Sequence, residues 1–183
     1  MPVLANTNAS RGRPNVCDEA ASEFEPVVKT LLEHKVEFII IGGRAEQLMG
    51  SPRITHDSDV CYRRTPENID RVIAALKQLN AKLRLPKNQT LPLDLHPTTF
   101  KNTINFTFMT DVGPLDILGI VEPIGDYDAL LPRAEHHPAF DRTLATISLD
   151  DLIRVKQHIK RGKDSESMYQ LLAIKRLREE GSI

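Results

Sequence analysis

The sequence predicts an α/β (α+β) fold, a mixed β-sheet flanked by helices and closed by helices at the C-terminal end. Three observations carry this. A short β-branched run, "VEFIII" (36–41), ends on Gly42-Gly43 and sits between two segments of helical spacing. Two strand-like runs, "NTINFTFMT" (102–110) and "LDILGIV" (115–121), face each other across a turn at 111–114, as in a hairpin. The last third returns to helical periodicity. Helices and paired strands in this order call for a sheet with helices packed on it.

The elements follow in chain order. Residues 1–18 carry Asn, Ser, Gly, Pro and Arg without periodicity and are expected to be a flexible tail, leaving 19–183 as one domain. Phe24, Val27, Val28, Leu31 and Leu32 give 21–35 the spacing of a helix. "RAEQLMG" (44–50) suits a short helix stopped at Gly50. "ITHDSDVCY" (54–62) reads as a second strand. Thr65-Pro66 is an N-cap followed by proline at the first helical position, opening a helix over 66–79 with Ile69, Val72, Ile73 and Leu76 inward. "AKLRL" (81–85) is a candidate strand, 86–97 a proline-rich extended loop, 126–134 a weak helical turn and 143–149 a short extended piece. The C-terminal helices span 149–180, broken at Gly162.

Composition excludes several classes. Lys plus Arg is 24 and Asp plus Glu is 25, a net charge of −1, so no global basic field advertises nucleic acid. The two cysteines, Cys17 and Cys61, form no CxxC pair, which fits a reducing compartment. No leader-like apolar region opens the chain, and no run approaches the length of a membrane span. A soluble, cytoplasmic protein is the expectation.

Four features carry chemistry. The strand–Gly42-Gly43–helix turn lets backbone N–H groups approach an anion such as phosphate, although it matches neither a P-loop nor GxGxxG. Asp57 and Asp59 are two apart, so on a strand they share a face and repel unless a cation lies between them. Hard divalent cations suit carboxylate oxygens, and Mg²⁺ suits them where phosphates complete the shell. A bare DxD also fits a solvated strand end. Asp116 interrupts an apolar strand; if 115–121 lies beside 54–62, it joins the pair. Lys156 falls on the apolar stripe of its helix, where an inward ammonium needs an anion. The paired His136-His137 sits in a proline-flanked stretch that reads as a surface loop, and His56 borders the acidic pair.

Taken together, "IIIGGRAEQLMGSPRITHDSDV" followed by "PLDIL" resembles the DNA polymerase beta-like nucleotidyltransferase superfamily, and within it the small stand-alone members akin to AbiE-type toxin nucleotidyltransferases. Those carry R-x-T-x-D-x-D, here Arg53, Thr55, Asp57 and Asp59, and a late lysine followed by R-x-K-D, here Lys156, Arg161, Lys163 and Asp164. Where some continue with a further acid, this chain has Ser167, and Arg44 replaces a small hydroxyl residue after the glycines.

The resemblance implies transfer of a nucleoside monophosphate from an NTP to a hydroxyl. Catalytic and metal-binding roles fall to Asp57, Asp59 and Asp116, with Mg²⁺ or Mn²⁺ as cofactor. Nucleotide-binding roles fall to Gly42, Gly43, Arg44, Arg53, Thr55 and Lys156. The acceptor is left open between tRNA or other RNA, a protein and a small molecule such as an antibiotic. A toxin role with a cognate antitoxin is one implied setting. A non-catalytic nucleotide-binding module on the same fold and a nucleotide hydrolase are the competing readings.

Overall fold

The computed structural model describes residues 16–159 and 165–182. Residues 1–15 of the candidate tail 1–18 and the motif residues Arg161, Gly162, Lys163 and Asp164 lie outside the described residues. Helix α1 (Val16–Glu33) begins inside the stretch expected to be tail. It is followed by β1 (Phe38–Ile41), α2 (Gly42–Leu48), β2 (Ser58–Tyr62), α3 (Pro66–Gln78) and β3 (Lys82–Arg84). Then come β4 (Thr90–Leu91), α4 (Pro97–Asn102), β5 (Asn105–Thr110), β6 (Gly113–Leu118) and α5 (Tyr127–Leu130). The chain continues through β7 (Glu135–Ala139), β8 (Arg142–Thr146), α6 (Leu149–Ile159) and α7 (Ser165–Glu179).

The strands form one mixed sheet in the order β4-β3-β5-β6-β2-β1-β8-β7. The expected hairpin is present, with β5 antiparallel to β6 from Asn105↔Leu118 to Thr110↔Gly113. Strand β2 runs antiparallel to β1 and parallel to β6. Register sorts the side chains, because residues directly opposite share a face. Val60, Ile117, Leu115, Phe106 and Phe108 line one face and are buried. Phe100 of α4 joins them, 4.7 Å from Phe106 and edge-on to Tyr62 at 6.4 Å, ring centre to ring centre. Each such side chain contributes about 1.5–3 kcal/mol when buried. The alternate positions carry Asp59, Asp116 and Thr107, the polar row on which the site is built.

Helix α3 starts as its sequence dictates: the Thr65 side chain accepts from the Asn68 N–H, and Ile69, Val72, Ile73 and Leu76 are buried. Three expectations are corrected. The strand expected over 54–62 begins only at Ser58, so Asp57 lies just outside it. The preceding segment is held by side chains instead of a ladder. Gln47 donates to the Arg53 carbonyl at 2.8 Å, Arg44 donates to the His56 carbonyl at 3.4 Å, and Ile54 points to solvent. The proline-rich stretch 86–97 contains a 3₁₀ turn, Pro86–Asn88, and the short strand β4. His136 and His137 lie on the edge strand β7 rather than in a loop. Pro138 is tolerated there because an edge strand leaves one side of its backbone unpaired.

Candidate active site

The glycine turn stands beside the acidic row. Gly42 has φ +62°, a left-handed conformation that L side chains rarely adopt, and a Cβ placed on it would overlap the Asp59 carboxylate. A Cβ on Gly43 would come within 2.9 Å of Thr55 Cβ. The two glycines therefore let α2 open directly against Asp59 on one side and Thr55 on the other. Ile41, at the helix entry, offers no side-chain cap, so the first N–H groups of α2 receive no side-chain acceptor from their cap residue. Gly42→Ala is expected to shift both backbone and carboxylate. The left-handed conformation alone costs about 1–2 kcal/mol. Melting in the presence and absence of Mg²⁺ should show a lower midpoint and a lost metal-induced rise.

Strand pairing brings the predicted carboxylates together. Asp59 and Asp116 are direct partners across β2 and β6. Thr107 of β5 continues the row opposite Asp116. Burial raises Asp59 to a pKa of about 7, with the neighbouring charges of Asp116 and Asp57 adding to the rise. Burial likewise raises Asp116 to about 6, against the opposing pull of Arg84. Asp57 is more open, with half of its side chain exposed.

Arg84 of β3 is the residue that sequence reasoning missed. Its Nη1 donates to Asp57 Oδ1 at 3.0 Å and its Nη2 to Asp116 Oδ1 at 2.7 Å. The guanidinium thus forks across two of the three carboxylates. Its place follows from the β3–β5 register, in which Leu83 pairs with Phe108, so Arg84 comes next to Thr107; the Thr107 hydroxyl donates to the Arg84 carbonyl at 3.4 Å. A lone arginine in "KLRL" carries no pattern that announces this.

The other predicted residues divide into two groups. Arg44 is buried, its guanidinium 4.9 Å above the Phe24 ring, and bonds Gln47 Oε1 at 3.1 Å. Burial lowers its pKa, and Glu23, Asp59 and Asp57 oppose the fall. Its positive charge acts on Asp59 and Asp57 of the acidic site. Arg53 and Lys156 converge on Glu46, a fully buried carboxylate of α2: Arg53 Nη1 lies 3.0 Å and Lys156 Nζ 2.7 Å from its Oε1. The Ser167 hydroxyl donates to Glu46 Oε2 at 2.5 Å. The inward Lys156 therefore meets a protein carboxylate as its anion. Ser167 supplies a donor where an acid would add a second negative charge beside Glu46. His56 is exposed, with Nδ1 3.3 Å from Glu23 Oε2.

Divalent metal is the group that the sequence resemblance implies. The donor set is suited to one: three carboxylates with hard oxygen donors, two of them raised in pKa by burial and mutual repulsion. Among the described residues no three His, Cys, Asp or Glu side chains are already gathered as a cage. The fork of Arg84 holds Asp57 and Asp116 in another arrangement.

The sequence matches no known family profile and no curated protein. Solved structures do share its fold. The lincosamide antibiotic adenylyltransferase LnuA, solved with lincomycin bound, aligns with a TM-score of 0.59 at 16% identity, over 83% of this chain and 96% of that one. The antibiotic-resistance factor ANT(2″)-Ia aligns with a TM-score of 0.56 at 13% identity, over 91% and 92%. The mixed sheet flanked by helices is thus the fold of nucleotidyltransferases. Among the described residues no helix is long and apolar enough to cross a membrane.

Proposed function

We propose that this chain is a metal-dependent nucleotidyltransferase that moves a nucleoside monophosphate from an NTP to an acceptor hydroxyl. The observation that carries the reading is the row Asp59–Asp116, with Asp57 at its edge, set directly against the Gly42-Gly43 turn. In this reading the turn receives the triphosphate on backbone N–H groups, and Asp57, Asp59 and Asp116 supply the metal ligands. Bound Mg²⁺ or Mn²⁺ would neutralise the phosphate oxygens and the developing charge of an in-line displacement. In this reading Asp116 either completes the metal site or takes the proton of the acceptor hydroxyl as it attacks the α-phosphorus. Pyrophosphate leaves. Arg53 and Thr55 flank the turn, and Lys156 acts through Glu46 to fix α2 behind it.

The acceptor is a proposal of its own. Of the structures sharing this fold, one is a lincosamide antibiotic adenylyltransferase and another an antibiotic-resistance factor, each of similar extent, which supports a small hydroxyl-bearing molecule as the first class to test. RNA such as tRNA, a protein acceptor and a toxin role follow from the sequence resemblance alone. The decisive test incubates the protein with labelled NTPs, Mg²⁺ and candidate acceptors, including a cell extract. Label should appear on an acceptor and fall at least 100-fold with Asp57→Ala. Equal labelling by the variant overturns the reading. For the toxin setting, expression should arrest growth and Asp57→Ala should relieve it.

One observation favours a second reading. Arg84 already neutralises two of the carboxylates. A site closed in this way would suit a nucleotide-binding module without transfer. Calorimetric NTP binding with no labelled acceptor would select it.

A further inference from the structure

Arg84 occupies the carboxylates that the proposed metal needs. The fork takes Asp57 Oδ1 and Asp116 Oδ1 from one side chain, itself 23% exposed. Metal–oxygen distances of about 2.0–2.1 Å for Mg²⁺ leave no room for a guanidinium lodged between the same two oxygens. Charge leads to the same exclusion. A divalent ion and a guanidinium on one carboxylate pair repel in a partly buried setting. Asp59 receives neither arm of the fork, so the fork does not satisfy the acidic row.

We propose that Arg84 is an internal counter-cation that competes with divalent metal for Asp57 and Asp116, and that it transfers to the nucleotide phosphates when metal enters. The inference rests on the metal-dependent reading above. It makes metal loading an exchange. Without nucleotide, the metal must displace a bound guanidinium into water. With a triphosphate present, the guanidinium exchanges one anionic partner for another, and the displacement costs less. Metal and nucleotide must then strengthen each other's binding, by the same factor in either order. The arrangement keeps Asp57 and Asp116 partnered when no metal is bound and favours metal in company with substrate.

The test is titration of Mn²⁺ into the nucleotide-free protein by calorimetry, comparing wild type with Arg84→Gln, Arg84→Lys and Asp59→Asn. Arg84→Gln should bind Mn²⁺ about tenfold more tightly than wild type. Arg84→Lys, which keeps the charge but loses the planar fork, should lie between them. A non-hydrolysable NTP should tighten Mn²⁺ binding severalfold in wild type and far less in Arg84→Gln. Far-UV circular dichroism establishes that each variant is folded; if Arg84→Gln is not, Arg84→Lys decides the question alone. Mn²⁺ affinity in the folded Arg84 variants equal to or weaker than wild type overturns the inference. Asp59→Asn separates the two layers. If it abolishes Mn²⁺ binding while the Arg84 variants match wild type, the metal site stands and the role of Arg84 fails. If Mn²⁺ binding persists unchanged in Asp59→Asn, the metal lies elsewhere and both fail.

Discussion

Asp59→Asn is expected to abolish nucleotide transfer, by 1,000-fold or more, while making the metal-free protein more stable at neutral pH and above. Both effects have one cause. Asp59 is held among like charges at the mouth of the glycine turn, and burial raises its pKa from 3.8 to about 7. A raised carboxylate pKa means that the folded state binds more protons than the unfolded chain between those values. Stability therefore falls as pH rises from about 4 to about 7 and is flat above. Asp116, raised to about 6, contributes in the same direction. Replacing Asp59 with Asn removes this penalty. The gain should be nil below about pH 4 and reach about 2–4 kcal/mol above pH 7. Saturating Mg²⁺ should reverse the order, because only wild type gains from the ion. Urea unfolding of both proteins from pH 4 to 8, with and without Mg²⁺, measures every part of this. A variant less stable than wild type at pH 8 without metal would contradict the electrostatic reading of the row.

Glu46→Ala is expected to have the largest effect on stability. Glu46 is fully buried and holds Arg53, Lys156 and Ser167 at once. Those partners come from the segment after α2, from α6 and from α7, so one carboxylate ties the C-terminal helices to the helix that opens at the glycine turn. Removing it deletes a fully buried carboxylate that pairs with Arg53 and with the Lys156 ammonium, the latter only 8% exposed. Breaking a buried ion pair from one side costs about 3–5 kcal/mol. In a domain of this size the melting midpoint should fall by about 10 °C or more. Glu46→Gln keeps one acceptor oxygen for Arg53 and Lys156, and its amide N–H can donate to the Ser167 hydroxyl, so it should lose less. Nucleotide affinity should fall with stability in both variants, because α2 carries the turn. A Glu46→Ala protein that melts like wild type would remove the network from the account.

The pattern of what the sequence disclosed follows from how far each signal reaches. The glycine turn, the acidic pair and Asp116 were legible because each is a local interruption: glycines after an apolar strand, charges inside strand-like runs. The hairpin and α3 were legible for the same reason, one through alternation about a turn and the other through its cap and its stripe. The pairing of β2 with β6 could be posed only as a condition, since parallel register is a long-range property. Arg84 was invisible because its meaning depends on the register of β3 with β5, an ordinary arginine in a short strand. Lys156 is buried, as its place on the apolar stripe predicts. Its partner Glu46 was not foreseen, because the glutamate sits on a seven-residue helix too short to show which face is buried. The early start expected for β2 failed where side chains of Gln47 and Arg44, rather than a neighbouring strand, hold the backbone.

The central claim is that Asp57, Asp59 and Asp116, with the Gly42-Gly43 turn, form one metal–nucleotide site. A crystal structure of the protein with Mg²⁺ and a non-hydrolysable NTP tests it most directly. The account predicts metal density on the three carboxylates, phosphates on the backbone of the turn, and an Arg84 guanidinium moved off Asp57 and Asp116 onto the phosphates. Nucleotide bound elsewhere, with the three carboxylates holding no metal and Arg84 still forked between two of them, would contradict it.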